Sequence, residues 1–424
     1  MSCKKLSVPS DRSISMFLAL AIAAFVSAAA ISAQAQTFTV LHTFTGPPDG
    51  GFPNGGLILD SKGNLYGTTA EGGTGACDGG CGTVFKLTPF GREIVLYSFT
   101  GTNGDGTYPQ GELVRDAAGN LYGTTYGGGT SGTACNGKGC GTVYMLDPTG
   151  NETVLYSFTG GVDGATPWAG VVRDAEGNLY GTTHLGGVYN WGTMFMVDSA
   201  GNETVLHSFD GPAGDGGDVA AGLILDSAGM LYGTTQGGGI FDSRCLPTLE
   251  IGCGTVFQIT TSGNETVLYD FTGHYDGNTP SGKVVRDYVG NLYGTSQPQP
   301  DGAGGLGTIF RINTEGKFRV LHTFTGGANG ADPFAGLIRD PAGDLFGTTY
   351  QGGGGGTACQ TFEGGCGIAF EFSHAGVFSV LHSFTGGADG GWLFAPLALD
   401  SKGNLYGTAN IGGLGDGTVF KITP

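Results

Sequence analysis

The sequence predicts an all-β chain: a seven-bladed β-propeller of four-stranded antiparallel blades, closed by pairing of the N-terminal strand with the C-terminal blade. Three observations carry that expectation. A unit of four short strand-like runs recurs seven times, hairpin turns join the runs, and the chain starts and stops inside a unit.

Leu-Tyr-Gly-Thr, or a close variant, starts at Leu65, Leu121, Leu179, Leu231, Leu292, Leu345 and Leu405. Val-Leu-[Tyr/His]-[Ser/Thr/Asp]-Phe starts at Val40, Val95, Val154, Val205, Val267, Val320 and Val380. Gly-Thr-Val-Phe, or a relative, stands at Gly82, Gly141, Gly192, Gly254, Gly307, Gly367 and Gly417. The runs are rich in β-branched and aromatic residues and are bounded by Gly, Asp, Asn and Pro, the pattern of strands and turns. In the second unit they are strand a (111–115), b (120–125), c (141–146) and d (152–158).

The a–b junction reads Asp-x-x-Gly-Asn, from Asp116 to Asn120, where a left-handed Gly119 closes a type I turn with a G1 bulge; Gly150 does the same between c and d. Both faces of c and d are apolar: Val143 alternates with Tyr144, and Leu155 with Tyr156 and Phe158. No helical period follows the first 35 residues, so sheets must cover sheets, and radial packing does this. A solenoid would need polar caps. Here a lone strand d (37–44) opens the repeat region and a lone strand c (417–422) ends it, so joining them completes a seventh sheet without a free edge.

Composition sets the compartment and excludes some partners. With 86 glycines in 424 residues, 39% hydrophobic and 13% charged, the chain is too apolar to be disordered. A formal charge of −18 argues against nucleic acid, which needs a basic footprint. Residues 1–35 read as a signal peptide: Lys4, Lys5 and Arg12 precede an apolar run, and Ala33-Gln34-Ala35 offers a cleavage site. The rival reading is a retained membrane anchor. Cleavage removes three basic residues, Asp11 and Cys3, taking the charge to −20 and leaving 36–424 as one propeller domain with no transmembrane segment, expected to be a monomer.

An oxidising compartment pairs thiols, and the remaining cysteines come as Cys77/Cys81, Cys135/Cys140, Cys245/Cys253 and Cys359/Cys366. Four local disulfides are expected, each contributing about 2 kcal/mol in the chain-entropy model. Zinc would require matched Cys/His pairs, whereas these spacings drift and lack His.

The Gly-Asn-Leu-Tyr-Gly-Thr-Thr core, with Gly-Thr-Val-Phe and the Val-Leu-Tyr-Ser-Phe-Thr-Gly strand, resembles the GloVer repeat of "choice-of-anchor" bacterial surface proteins. All seven copies match. The resemblance implies an exported bacterial protein, often with an anchoring tail, and implies no established activity. This sequence stops at Pro424 directly after its last strand, so a secreted or periplasmic form is expected in place of a cell-surface anchor. Asp-x-x-Gly-Asn-Leu-Tyr is more weakly similar to NHL and gluconolactonase-like propellers.

With strand a innermost, the d–a and b–c connections share the face around the channel mouth, where propellers concentrate function. The slot after Gly-Thr-Thr varies there: Ala70, Tyr126, His184, Gln236, Gln297, Tyr350 and Asn410. Six of these can hydrogen-bond or stack, which suits a sugar or peptide; a merely tolerant strand end is the bland alternative. Trp168, Phe334, Trp392 and Phe394, near Pro167, Pro333 and Pro396, are either stacking platforms or wedges between blades. Glu112 and Lys283 replace what is read as an apolar residue just inside strand a, in blades 2 and 5, so they either face each other across the channel or point to solvent.

The d–a aspartates (Asp49, Asp105, Asp163, Asp215, Asp276, Asp389) raise calcium as the one possible cofactor, although a single Asp before Gly is first a turn residue. The strand-a aspartates such as Asp116 fix turns, and His42, His207, His322 and His382 replace Tyr in strand d as packing residues. Asn151, Asn202 and Asn264 lie in Asn-Glu-Thr sequons within turns. No nucleophile elbow, His-Glu-x-x-His or phosphate loop is present. The expected function is a binding or scaffold module for a glycan, surface polymer or protein. The alternatives are a lactonase, lyase or glycosidase at the channel mouth, or a purely structural protein.

Overall fold

The computed structural model describes residues 36–423 except 131–133, 213, 241–244, 246–251, 299–304, 355–358 and 360–364. The signal segment, 1–35, lies outside the described residues. Seven four-stranded antiparallel sheets form the blades. In blade 2 the strands are Val114–Arg115, Leu121–Thr125, Thr142–Leu146 and Glu152–Ser157. Blade 7 joins Ala398–Leu399, Leu405–Ala409 and Thr418–Thr423 to Thr37–Thr43, with Phe38 opposite Ile422 and Val40 opposite Phe420. The first strand therefore closes the ring as the sequence predicts.

Strand a is shorter than expected, two paired residues in place of five. Its first half runs so close to the next blade that it cannot stay in its own ladder: a Cβ on Gly111 would lie 2.2 Å from the Gly170 nitrogen. Strand d also departs from simple alternation. In every blade its leucine, such as Leu155 between Val154 and Tyr156, is a bulge opposite strand c and packs against the core.

Three layers hold each blade to the next. Innermost, the first threonine of Gly-Thr-Thr donates to a carbonyl of the following blade: Thr68 to Gly111, Thr124 to Ala169, Thr182 to Ala221, Thr234 to Gly282, Thr295 to Ala335, Thr348 to Ala395 and Thr408 to Gly55, at 2.7–3.4 Å. In the middle, the phenylalanine ending each Val-Leu-x-x-Phe string meets the aromatic of strand c in the next blade, as Phe158 meets Phe195 edge-on at 5.0 Å. The equivalent pairs run from Phe44–Phe85 round to Phe384–Phe420. The glycine of Leu-Tyr-Gly-Thr makes room for that ring: a Cβ on Gly181 would lie 2.5 Å from Phe195 Cζ. The outermost layer joins strand d to strand d and differs around the ring.

The strand-a aspartates close the a–b turns. Asp116 Oδ1 accepts from the Gly119 and Asn120 amides, and its Oδ2 accepts from Asn120 Nδ2 and the Tyr122 hydroxyl. Burial works against its charge, but these donors hold its carboxyl below the usual range. Gly119 and Gly150 are left-handed, at φ 97° and 92°, as their turns demand. All four predicted disulfides are formed. Among the described residues no helix is long and apolar enough to cross a membrane.

Candidate functional site

The d–a and b–c connections do share one face. In every unit they pair with each other, as Gly106–Thr107 with Gly127–Gly128 and Ala165 with Leu185. Inside this rim lies a cavity of about 530 Å³ on the propeller axis.

Its wall rises from seven strained residues. Phe52, Tyr108, Thr166, Asp218, Thr279, Asp332 and Trp392, one before each blade, are left-handed, with φ of 39–58°. This conformation is costly for any side chain and worst for a β-branched one, so surrounding bonds must impose it. The amide of each donates to the start of strand c in the preceding blade: Tyr108 to Cys81, Thr166 to Cys140, Thr279 to Cys253 and Trp392 to Cys366. The second cysteine of every disulfide thus supplies one clamping carbonyl. Two residues further on, Asn54, Gln110, Trp168, Ala220, Ser281, Phe334 and Phe394 form the inner wall.

Every predicted slot residue sits on this wall or directly behind it. Ala70, Tyr126 and Asn410 line the cavity. Tyr126 and His184 stand edge-on to Trp168 from two sides, each at 5.7 Å. Gln236 and Gln297 both donate to the Ser281 hydroxyl, at 3.2 and 2.7 Å. Tyr350 packs on Phe394 at 4.9 Å, Phe394 meets Phe334 at 5.4 Å, and Asn410 donates to Asn54. Trp392 belongs to the strained ring and packs toward the core between blades 6 and 7, 5.9 Å from Tyr350, rather than lining the cavity.

At the floor, Glu112 and Lys283 face each other across the channel and form an ion pair. The equivalents in the other five blades are Gly56, Gly170, Gly222, Gly336 and Pro396, so the apolar residue expected there is a glycine or a proline. A Cβ on Gly170 would lie 1.9 Å from the Glu112 carbonyl oxygen, so the packed inner backbones allow little else.

Of the other ionisable groups, Glu71 lines the cavity and is raised by burial and by Asp416 and Asp78. Burial lowers His184 and raises Asp218, whose Oδ1 is 3.9 Å from His184 Nε2, and the attraction between the two works against both shifts. Burial alone pushes Asp332 up to about 6. The d–a aspartates proposed for calcium are occupied by donors: Asp163 accepts from the Thr159 amide and hydroxyl, the Gly161 amide and the Tyr156 hydroxyl. Two of the strand-d histidines use the same latch, His207 Nε2 lying 2.5 Å from Asp215 and His382 Nε2 3.1 Å from Asp389.

The sequence reading missed Phe52, Asn54, Tyr108 and Gln110, all of which line the cavity. Their signal was the frame x-Pro-x: Phe-Pro-Asn, Tyr-Pro-Gln, Thr-Pro-Trp, Thr-Pro-Ser and Asp-Pro-Phe mark the same two wall positions in five units.

Fold and site together define a closed seven-bladed β-propeller with a cavity on its loop-rich face. The chain belongs to the Gloeobacter/Verrucomicrobia repeat family, whose repeat matches residues 28–137, 131–360 and 252–424. This is the family its Leu-Tyr-Gly-Thr units resemble. No curated protein matches it in sequence. Among solved structures, virginiamycin B lyase from Staphylococcus aureus is similar over 92% of this chain and 99% of its own, at 12% identity and TM-score 0.54. The extracellular domain of the one-component system BT4673 from B. thetaiotaomicron is similar over 92% of this chain and 42% of its own, at 15% identity and TM-score 0.55. What these share with the present chain is the fold. A gluconolactonase from Xanthomonas campestris aligns over 66% of this chain and 78% of its own, at 15% identity and TM-score 0.39.

Proposed function

We propose that the protein is an exported binding module that takes a glycan, free or part of a surface polymer, into the axial cavity. One observation carries the reading: the wall combines aromatic faces (Trp168, Tyr126, Phe334, Phe394) with amides (Asn54, Gln110, Asn410). Sugars present apolar ring faces edged with hydroxyls, and these are the groups that stack on the first set and hydrogen-bond to the second. The volume falls in the range of small-ligand sites, about 300–1,000 Å³. Four disulfides suit an oxidising compartment outside the cytoplasm.

A lactonase, lyase or glycosidase at this mouth needs an acid or base free to move a proton. Here Glu112 and Lys283 hold each other, and His184 and Asp218 sit behind Trp168. This leaves Glu71 on the wall and the buried Asp332, both raised by burial, as the carboxyls such an enzyme would have to use. A glycan array on the purified protein, followed by calorimetry with Trp168→Ala, tests the reading. Binding is expected to survive a chelator and to weaken about tenfold in the variant, the loss of one stacking face. Turnover of a bound glycan, or no binding to any, would overturn it.

A further inference from the structure

The floor of the cavity is a bar of charge laid across the axis. Glu112 reaches in from blade 2 over Gly56, where a Cβ would lie 3.5 Å from its carboxyl carbon. Lys283 reaches in from blade 5 over Gly222 and Gly336, where Cβ atoms would lie 3.7 and 3.1 Å from its methylenes. The two meet as an ion pair across the axis, beside the last strand-a residues that line the cavity, and so obstruct the channel there. Their side chains remain 30% and 26% exposed. Their contact joins one carboxylate oxygen to the ammonium, leaving the other oxygen as an acceptor and two N–H groups as donors.

We propose that the pit reads chain ends: the terminal, uncharged residue of a glycan enters along the axis and seats its hydroxyls on the Glu112–Lys283 bar. This rests on the glycan-binding reading above and specifies its ligand. A pit of about 530 Å³ with this bar across its axis admits an end. An internal segment would have to double back to reach the floor. Trp168 in blade 3 and Phe394 in blade 7 line opposite sides of the pit, so an entering ring has an aromatic side chain on either side of its path. Neighbouring hydroxyls of a sugar supply what the bar leaves open, protons for the free carboxylate oxygen and lone pairs for the free N–H groups. A charged end of either sign would meet its like charge and have to disrupt the pair.

The test is competition by linear dextran, linear arabinan and laminarin, each in graded chain lengths, for protein held on the same immobilised polymer. At equal mass, fragments one-tenth as long carry ten times the ends and are expected to compete about tenfold better. Glu112→Gly/Lys283→Gly places at both positions the residue that four other blades already carry, so its folding is expected to persist and is checked by circular dichroism. It is expected to bind about tenfold more weakly, as for lost charge-assisted hydrogen bonds, and to stop distinguishing ends from mass. Competition by wild type that follows mass alone, or a double variant that keeps the preference for ends, would overturn chain-end reading while glycan binding stood. Failure of all three polymers to bind would overturn the glycan reading itself.

Discussion

Blades 1 to 4 and blades 5 to 7 share a backbone and differ at one slot, the start of strand d, which faces strand d of the preceding blade. In the second group the slot holds an aromatic ring lying flat on its neighbour: Phe318 on Tyr269 at 4.0 Å, Phe378 on His322 at 3.9 Å and Phe38 on His382 at 3.7 Å. In the first group it holds Glu93, Glu152, Glu203 and Glu265, each with a buried Oε1 that has no hydrogen-bond partner among the described residues. Burial first, and then the loop aspartate of the preceding blade, pushes Glu152, Glu203 and Glu265 up to about 7; burial and Asp49 raise Glu93 against the pull of His42. The two inner layers, threonine bonds and aromatic pairs, run through all seven interfaces. The fold is therefore set near the axis, and the outer seam is free to be apolar or ionisable.

The largest expected effect separates the two arcs directly. Phe378→Ala should cost about 3 kcal/mol, because its ring also packs on Phe324 and Phe370, whereas Glu152→Ala at pH 7 should cost under about 1 kcal/mol. Equal losses in denaturant unfolding would erase the distinction. Next comes pH. A carboxyl raised by folding keeps a proton that the unfolded chain releases above about 4.5, so its stabilisation is whole below that pH and disappears as pH climbs through about 7. Discounted for partial exposure, this is about 1 kcal/mol per glutamate. Glu152→Gln/Glu203→Gln/Glu265→Gln should match the parent near pH 4.5 and exceed it by about 3 kcal/mol at pH 8, read from unfolding midpoints across the series; parallel curves would show that these glutamates are already solvated. The smallest effect sharpens the comparison: Glu152→Phe, facing Tyr97 as Phe318 faces Tyr269, should gain about 1 kcal/mol at pH 8. A loss would mean that the arcs are not interchangeable.

Much of this architecture was legible because it repeats. Blade number, hairpins, ring closure and cysteine pairing each rest on strings that recur with fixed local geometry, and Asp116 and Gly119 announce their turn within five residues. What escaped depends on distances between blades. The shortness of strand a follows from Gly111 crowding Gly170, contacts 59 residues apart in sequence. The bulge at Leu155 is invisible to a count of alternation, because Leu, Tyr and Phe are all apolar. The slot after Gly-Thr-Thr led to the cavity wall, and Glu112 and Lys283 meet as their opposed blades allow. Phe52 and Tyr108 precede the proline of the frame and Asn54 and Gln110 are amides, whereas the frame shows itself most plainly in the aromatics that follow its proline, Trp168 and Phe334. The contrast of Glu152 with Phe378 lay in plain view, but its meaning required knowing which strand lies opposite.

The bond from Thr408 to the Gly55 carbonyl, which joins blade 7 to blade 1, is the same bond that joins every other neighbouring pair. The circle consequently has no seam. A gene reopened at another c–d hairpin and spliced across the present junction should encode a molecule with the same inner joints in rotated order, so folding places no constraint on which hairpin carries the termini.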